Sequence, residues 1–314
     1  MTGPVMLLDT ASLYYRAFYG VPDTVRTPDG RPVNAVRGLL DIIARLVTEF
    51  EPDALVACWD DAWRPRWRVE LIPSYKLHRV AEFVPNGVDV EEAPDDLVQQ
   101  VPMVRQALET FGVTVLGAAD HEADDVIGSL AAQATGAVDI VTGDRDLFQL
   151  VDDARRARVI YTARGMSHLE VLTDDVVQAK YGIAPQQYAD FAVLRGDASD
   201  GLPGVAGVGE KTAAGLLREF GDLRGVITAA ADASTALAAG LRAKIVAAAD
   251  YLAVAPRVVE VVRDLDLGEV DARIRPLTVE QRAAIDRLSE EWGLGGSAER
   301  ALRALSARAA PLTD

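Results

Sequence analysis

Three short apolar runs stand out from the polar background of the chain: PVMLLDT (4–10), DALVACWDD (53–61) and AVDIVTGDRD (137–146). Each is a near-continuous block of β-branched and aliphatic side chains, the pattern of a strand buried on both faces of a parallel sheet. Between them apolar positions recur every three or four residues, which predicts helices. One covers 34–50, and a second covers 95–112, interrupted at Pro102 and stopped by Gly112. A third, over 123–134, begins within the sequence HEADD. This alternation predicts an α/β fold around a parallel sheet. Residues 158–172 predict a hairpin turning at Arg164-Gly165. From 173 the pattern is mainly helical: a helix between a Thr173 cap and Gly182, an Ala-rich stretch over 226–255, a helix over 278–292, a break at GLGG, and a last helix over 297–308. Between Tyr75 and Pro102 no period is evident, and long loops inside compact domains are usually functional or disordered.

All three runs end in acids: Asp9, then Asp60 and Asp61, then Asp144 and Asp146. In open α/β sheets ligands bind beyond the carboxyl ends of the strands. Asp9, Asp60, Asp144 and Asp146 are therefore expected on one rim, beside the helix opened by Glu122, Asp124 and Asp125. A half-buried carboxylate cluster is unfavourable unless it is protonated or binds metal. Hard oxygen ligands select Mg²⁺ or Mn²⁺, and two such ions about 3.5–4 Å apart clamp a phosphodiester for in-line attack. Taken singly, each acid reads equally well as a helix cap or a solvated charge. The whole set on one rim favours metal.

Length and charge bear on this reading. A chain of 314 residues with 49% hydrophobic content supports one large domain or two small ones. Its apolar runs are far short of a membrane span. The N-terminus lacks a basic region followed by an apolar run, and the single cysteine, Cys58, has no disulfide partner, so a cytoplasmic protein is expected. The balance of 32 basic to 48 acidic residues gives −16, which by itself argues against a nucleic-acid partner. That argument weakens if many of the acids are gathered and neutralised by cations.

Three further motifs carry chemistry. GVAGVGEKTAAGLL (204–217) predicts a tight turn at Gly207, Val208 and Gly209 opening a helix, with Lys211 and Thr212 in its first turn. Unpaired N–H groups there can grip a phosphate without reading sequence; a purely structural helical hairpin is the competing reading. GDASDG (196–201) brings Asp197 and Asp200 onto one side of a turn, to extend the acid set or to cap a helix. SYKLHR (74–79) offers Tyr75 as a base-stacking face and Lys76 and Arg79 as phosphate contacts, or is a solvated turn. His78, His121 and His168 have no partner at zinc-ligand spacing.

These motifs, in this order from Met6 to Asp266, resemble the bacterial 5′ nuclease family: the flap endonucleases and the 5′-nuclease domain of DNA polymerase I. The resemblance implies a PIN-like parallel sheet flanked by helices, with a helical arch and a C-terminal helix–three-turn–helix subdomain. On it, 1–185 form the catalytic domain with the arch over about 76–101, 186–290 the DNA-binding subdomain, and 291–314 a helical tail. It implies one metal group at Asp9, Asp60, Glu122 and Asp124 and a second drawing on Asp125, Asp144, Asp146, Asp197 and Asp200, with Mg²⁺ or Mn²⁺ bound. Lys76 and Arg79 are implied as catalytic. Arg16, Tyr75 and the Gly207–Thr212 hairpin are implied as DNA contacts, the hairpin with a K⁺ ion. The implied substrate is branched or nicked duplex DNA with a 5′ flap or 5′ end, RNA primers included, cut by a monomeric, stand-alone enzyme. Gly201 stands where the family usually has Asn, and its turn is expected to accept Asn. The arch segment is unusually acidic. Two other functions remain: a PIN-like ribonuclease acting on single-stranded RNA, which needs no duplex-gripping hairpin, and a non-catalytic junction-binding protein.

Overall fold

A computed structural model describes residues 3–85 and 87–309. Six strands form one sheet in the order β5-β2-β1-β6-β7-β8. They are β1 (Val5–Asp9), β2 (Ala54–Trp59), β5 (Thr114–Gly117), β6 (Val138–Thr142), β7 (Ala157–Tyr161) and β8 (Glu170–Leu172); β3 (Val80–Glu82) and β4 (Val90–Glu91) form a separate antiparallel ribbon. The three apolar runs of the sequence are the adjacent strands β2, β1 and β6. β1 pairs in parallel with both neighbours, with Leu8 opposite Ala57 and Val141, so the acids that follow the three strands emerge at one edge.

The period of two along a strand assigns the two faces. Met6 and Leu8 of β1, with Leu55 and Ala57 of β2, face helices Thr10–Gly20 and Asn34–Phe50. Val5 and Leu7, with Val56 and Cys58, face helix Ala123–Gln133 and the helical region beyond residue 183. The predicted helix over 34–50 forms as read. The one over 95–112 splits into Asp95–Val98 and Val101–Thr110, with Pro102 in the first turn of the second, where a missing N–H is tolerated. The hairpin of β7 and β8 is antiparallel, with a 3-10 turn at Met166–His168. The edge strand β5 was not anticipated; its four residues are only half-buried.

Two expectations change. The segment over 76–101 is not a helical arch. It is a 3-10 turn at Leu77–Arg79, the β3–β4 ribbon and the one-turn helix Asp95–Val98; Asn86 lies outside the described residues. Its sequence alternates short β-branched and charged residues without a helical period, and it is pinned rather than loose. The guanidinium of Arg64, buried beneath it, donates to Asp89 at 2.6 Å and to the Tyr75 carbonyl at 2.6 Å. The Trp63 indole donates to the Asp89 carbonyl, and Arg26 pairs with Asp96. Two of the acids counted as free charge in this segment are thus neutralised.

The packing also does not divide at residue 290. Ile274, Ile285, Leu288 and Trp292 join Ala298, Ala301 and Leu305 in the core under Met6 and Leu8, so helices Val279–Trp292 and Gly295–Arg308 return to the catalytic sheet. Thr278 and Gln281 form a capping box at the start of the first of these helices, and Gly293 ends it in a left-handed conformation. The last five residues of the expected tail lie outside the described residues. Among the described residues no helix is long and apolar enough to cross a membrane.

Candidate active site

A groove of about 1070 Å³ opens at the carboxyl edge of β2, β1 and β6. Asp9, Asp60, Glu122, Asp124 and Asp144 line it, with Lys76, Arg79 and Arg16 among the basic residues on its walls. Asp9 ends β1 and caps the following helix: its carboxylate accepts from Ser12 N at 3.2 Å and from Thr142 Oγ1 at 2.6 Å. Asp60 follows β2 and accepts the Ala123 N–H at 2.8 Å, which ties the rim to the start of helix Ala123–Gln133. Burial pushes Asp9 up to about 6 and Asp60 up to about 7, and neighbouring carboxylates add to both. Burial, with Asp9, Asp144 and Glu122 close by, holds Asp124 well above the usual carboxylate range. The rim is therefore short of positive charge.

Asp146, Asp197 and Asp200 do not line the groove but adjoin it through Asp144. The Asp146 N–H donates to Asp144 Oδ1 at 2.9 Å, and Asp146 Oδ1 is buried without a partner. Burial and the charges of Asp144, Asp200 and Asp197 raise the Asp146 pKa. Asp197 and Asp200 sit on a loop whose ends fold onto each other: Gly196 and Gly204 both have positive φ, and a Cβ on either would meet the other's backbone within 3.0 Å. Arg195 pairs with Asp197 at 2.9 Å and with Glu210 at 3.2 Å, joining this loop to the first turn of helix Glu210–Phe220.

Three sequence expectations fail here. Asp125 is fully buried and turned away from the rim; both its oxygens are bonded to Arg68, at 2.7 and 2.8 Å. It is the next residue after the rim-facing Asp124, about 100° further round the helix, and its carboxylate serves the capping box and Arg68 instead. Tyr75 is 4% exposed and offers no stacking face; its hydroxyl donates to Glu122 Oε2 at 2.8 Å. Gly201 adopts φ +68, which Asn tolerates, but a Cβ there would lie 2.1 Å from the Ser74 carbonyl oxygen. The backbone of 74–76 seats directly on this loop, with Lys76 N donating to the Asp200 carbonyl, and glycine permits the approach.

Lys76 reaches inward and pairs closely with Glu122 Oε1. Arg79 stays at the groove wall, donating to the Ser199 carbonyl at 2.8 Å and to Asp200 at 3.3 Å. Arg16 is half-buried with Nε unpartnered. Sequence reasoning missed Arg68, which donates to Glu122 Oε2 at 2.5 Å. Its signal was present: a surplus of acids bound for the interior demands a buried cation, and an arginine flanked by the apolar Trp67 and Val69 is a candidate. Among the described residues no three acidic, His or Cys side chains already converge on a metal position; Lys76, Arg68 and Thr142 occupy several of the oxygens. The donor set nevertheless suits a hard divalent ion: carboxylates only, mutually repelling, with one oxygen orphaned.

The hairpin lies in the helical region. Gly207 has φ +71, Val208 is buried, and Gly209 occupies the N-cap position of helix Glu210–Phe220 without a side-chain cap. Lys211 is exposed and Thr212 half-buried. A Cβ on Gly209 would meet nothing within 4 Å, so the approach to these N–H groups is open.

Comparison with known proteins yields matches along most of the chain. Residues 4–182 match the 5′-3′ exonuclease N-terminal resolvase-like domain, and 183–281 match the 5′-3′ exonuclease C-terminal SAM fold. A 5′-3′ exonuclease of Streptomyces coelicolor is 56% identical over 302 residues, covering 96% of this chain and 100% of that one. A 5′-3′ exonuclease of Mycobacterium tuberculosis is 46% identical, covering 97% and 98%. Among solved structures, the T5 D15 protein co-crystallised with metal ions superposes with a TM-score of 0.63 at 15% identity, covering 98% and 100%. Flap endonuclease-1 from Methanococcus jannaschii superposes with a TM-score of 0.56 at 15% identity, covering 97% and 93%. At such identities these structures speak for the fold.

Proposed function

Because the chain belongs to the 5′-3′ exonuclease family, we propose that its groove hydrolyses DNA phosphodiesters at a 5′ end or 5′ flap beside a duplex, with bound Mg²⁺ or Mn²⁺. The observation that carries this is the gathering of Asp9, Asp60, Asp124 and Asp144 beyond the ends of three adjacent parallel strands, in a groove also lined by Lys76 and Arg79. These four acids, with Glu122 once Lys76 releases it, would hold one ion, and Asp144, Asp146, Asp197 and Asp200 a second. Bound there, such ions supply charge neutralisation for water attack and for departure of the 3′ oxygen.

The chain's own residues do the rest. Arg79 and Arg16 draw the phosphate into the groove, and the Lys76 ammonium exchanges its carboxylate partner for a phosphate oxygen. The attacking water loses a proton and forms the new P–O bond, the bond from phosphorus to the 3′ oxygen breaks, and the 5′ fragment leaves with a 3′ hydroxyl that takes up a proton, while the phosphate stays on the 5′ end of the remaining strand. The Gly207–Thr212 hairpin holds the duplex by its backbone, and a K⁺ ion bound at this hairpin would add positive charge towards the phosphates. The enzyme acts as a cytoplasmic monomer, and RNA primers on DNA are among its substrates.

The test is cleavage of a 5′-labelled flap with Mg²⁺, compared with EDTA and with linear single-stranded RNA. Metal-dependent cutting of the flap alone is expected. Cutting of the RNA in preference to the flap would establish the ribonuclease reading, and binding without cutting would establish the junction-binding one.

A further inference from the structure

Arg68 lies on the short helix Arg66–Leu71 and is 2% exposed. All five of its N–H groups are used. Nε donates to the Val258 carbonyl at 3.0 Å. One terminal nitrogen donates to Glu122 Oε2 at 2.5 Å and Asp125 Oδ2 at 2.8 Å, the other to Asp125 Oδ1 at 2.7 Å and the Glu260 carbonyl at 3.5 Å. The guanidinium stacks on the Trp67 ring, 4.4 Å from its centroid. Asp125 in turn accepts the Val262 N–H at 2.9 Å.

One side chain thus joins three elements: the helix leading to Lys76, the start of helix Ala123–Gln133 that carries Asp124 onto the rim, and the end of helix Ala249–Val259. That last helix is built into the helical region, where the Tyr251 hydroxyl donates to the Val193 carbonyl. Gln149 repeats the tie beside Asp146, donating to the Val259 carbonyl and accepting from Val261 N. Burying a cation and two carboxylates gains little stability over apolar packing. Its distinctive product is geometry, because a guanidinium fork fixes its partners in plane.

We propose that Arg68 is a positioning residue that fixes the register between the duplex-holding hairpin and the acid rim, and so selects which phosphodiester is cut. This rests on the proposed function. Successive phosphates along one strand of a duplex are about 3.4 Å apart along its axis. A slip of that order at the 258–262 junction brings a neighbouring phosphate to the rim.

The test is Arg68→Lys, which keeps the charge but cannot bond Asp125, Glu122 and Val258 together. Flap cleavage is followed in single turnover, with products resolved to one nucleotide. Wild type is expected to give one dominant product, and Arg68→Lys to spread the cut over adjacent positions. A slower or less stable variant that still cuts at the single wild-type position would overturn the proposal and leave Arg68 a purely structural residue. Hydrogen exchange of the wild-type protein keeps the test open if the variant fails to fold. The Val261 and Val262 amides should be protected as strongly as those of Val126 to Leu130, and rapid exchange at 261–262 would equally overturn the proposal. Wild-type protein that leaves flaps intact while its junction is protected would sink the functional reading rather than the rigid junction.

Discussion

At the scale of single residues, the acids divide according to what each carboxylate faces. Asp124 and Asp125 are neighbours in sequence, yet one faces the groove and the other is sealed against Arg68. The sequence shows that acids open this helix; it does not show which way each points, because that depends on a buried arginine 57 residues earlier. Asp125→Asn should therefore act on stability: Arg68 loses half of its countercharge, at a cost on the order of 3 kcal/mol, read as a lowered melting temperature. An unchanged melting temperature would return Asp125 to the candidate ligands. Lys76 is the converse case. Its inward position was not legible, since a lysine in an apparent turn reads as solvated. Its ammonium now occupies Glu122, so divalent ions must compete with it. Lys76→Met should bind Ca²⁺ about tenfold more tightly, a coupling of about 1.4 kcal/mol, while cleaving more slowly. Calorimetric titration showing equal or weaker Ca²⁺ binding would dismiss this competition.

At the scale of elements, β1, β2 and β6 were legible because strands buried on both faces carry an unbroken apolar run, and Asn34–Phe50 because one helical face is buried along its whole length. β5 was not, being a short half-buried edge. The 76–101 segment was misread because its shape is imposed by Arg64 and Trp63 from outside it. The Gly207–Lys211 hairpin is the element whose role is most open to direct test. Its N–H groups carry no net charge and release few counterions, whereas Lys211 should release about one. Lys211→Ala should weaken binding to every duplex alike and flatten the plot of log K against log salt by about 0.9. A Cβ at Gly209 has open space around it in the free protein, so Gly209→Val should fold normally yet lose DNA at all salt concentrations. A wild-type slope for the first variant with wild-type affinity for the second would make the hairpin a structural turn.

At the scale of the whole molecule, the net charge of −16 is partly a property of the groove. Asp9 and Asp60, raised to about 6 and about 7, hold their protons more tightly folded than unfolded. In the metal-free protein their contribution favours folding below about pH 4 and is lost as pH rises through about 7. Divalent ions bind the deprotonated form and remove that penalty. The rise in melting temperature on adding Mg²⁺ should thus be small at about pH 5 and large at about pH 8; a rise independent of pH would mean that the ions bind elsewhere.

The central claim is that the acids on this rim perform the chemistry, and Asp124→Asn tests it most directly. The measurement is the single-turnover rate of flap cleavage in Mg²⁺, with flap affinity measured alongside in Ca²⁺. The account predicts a rate lower by roughly 10²-fold or more, with affinity and melting temperature close to those of the wild type. A rate within about threefold of the wild type would contradict it.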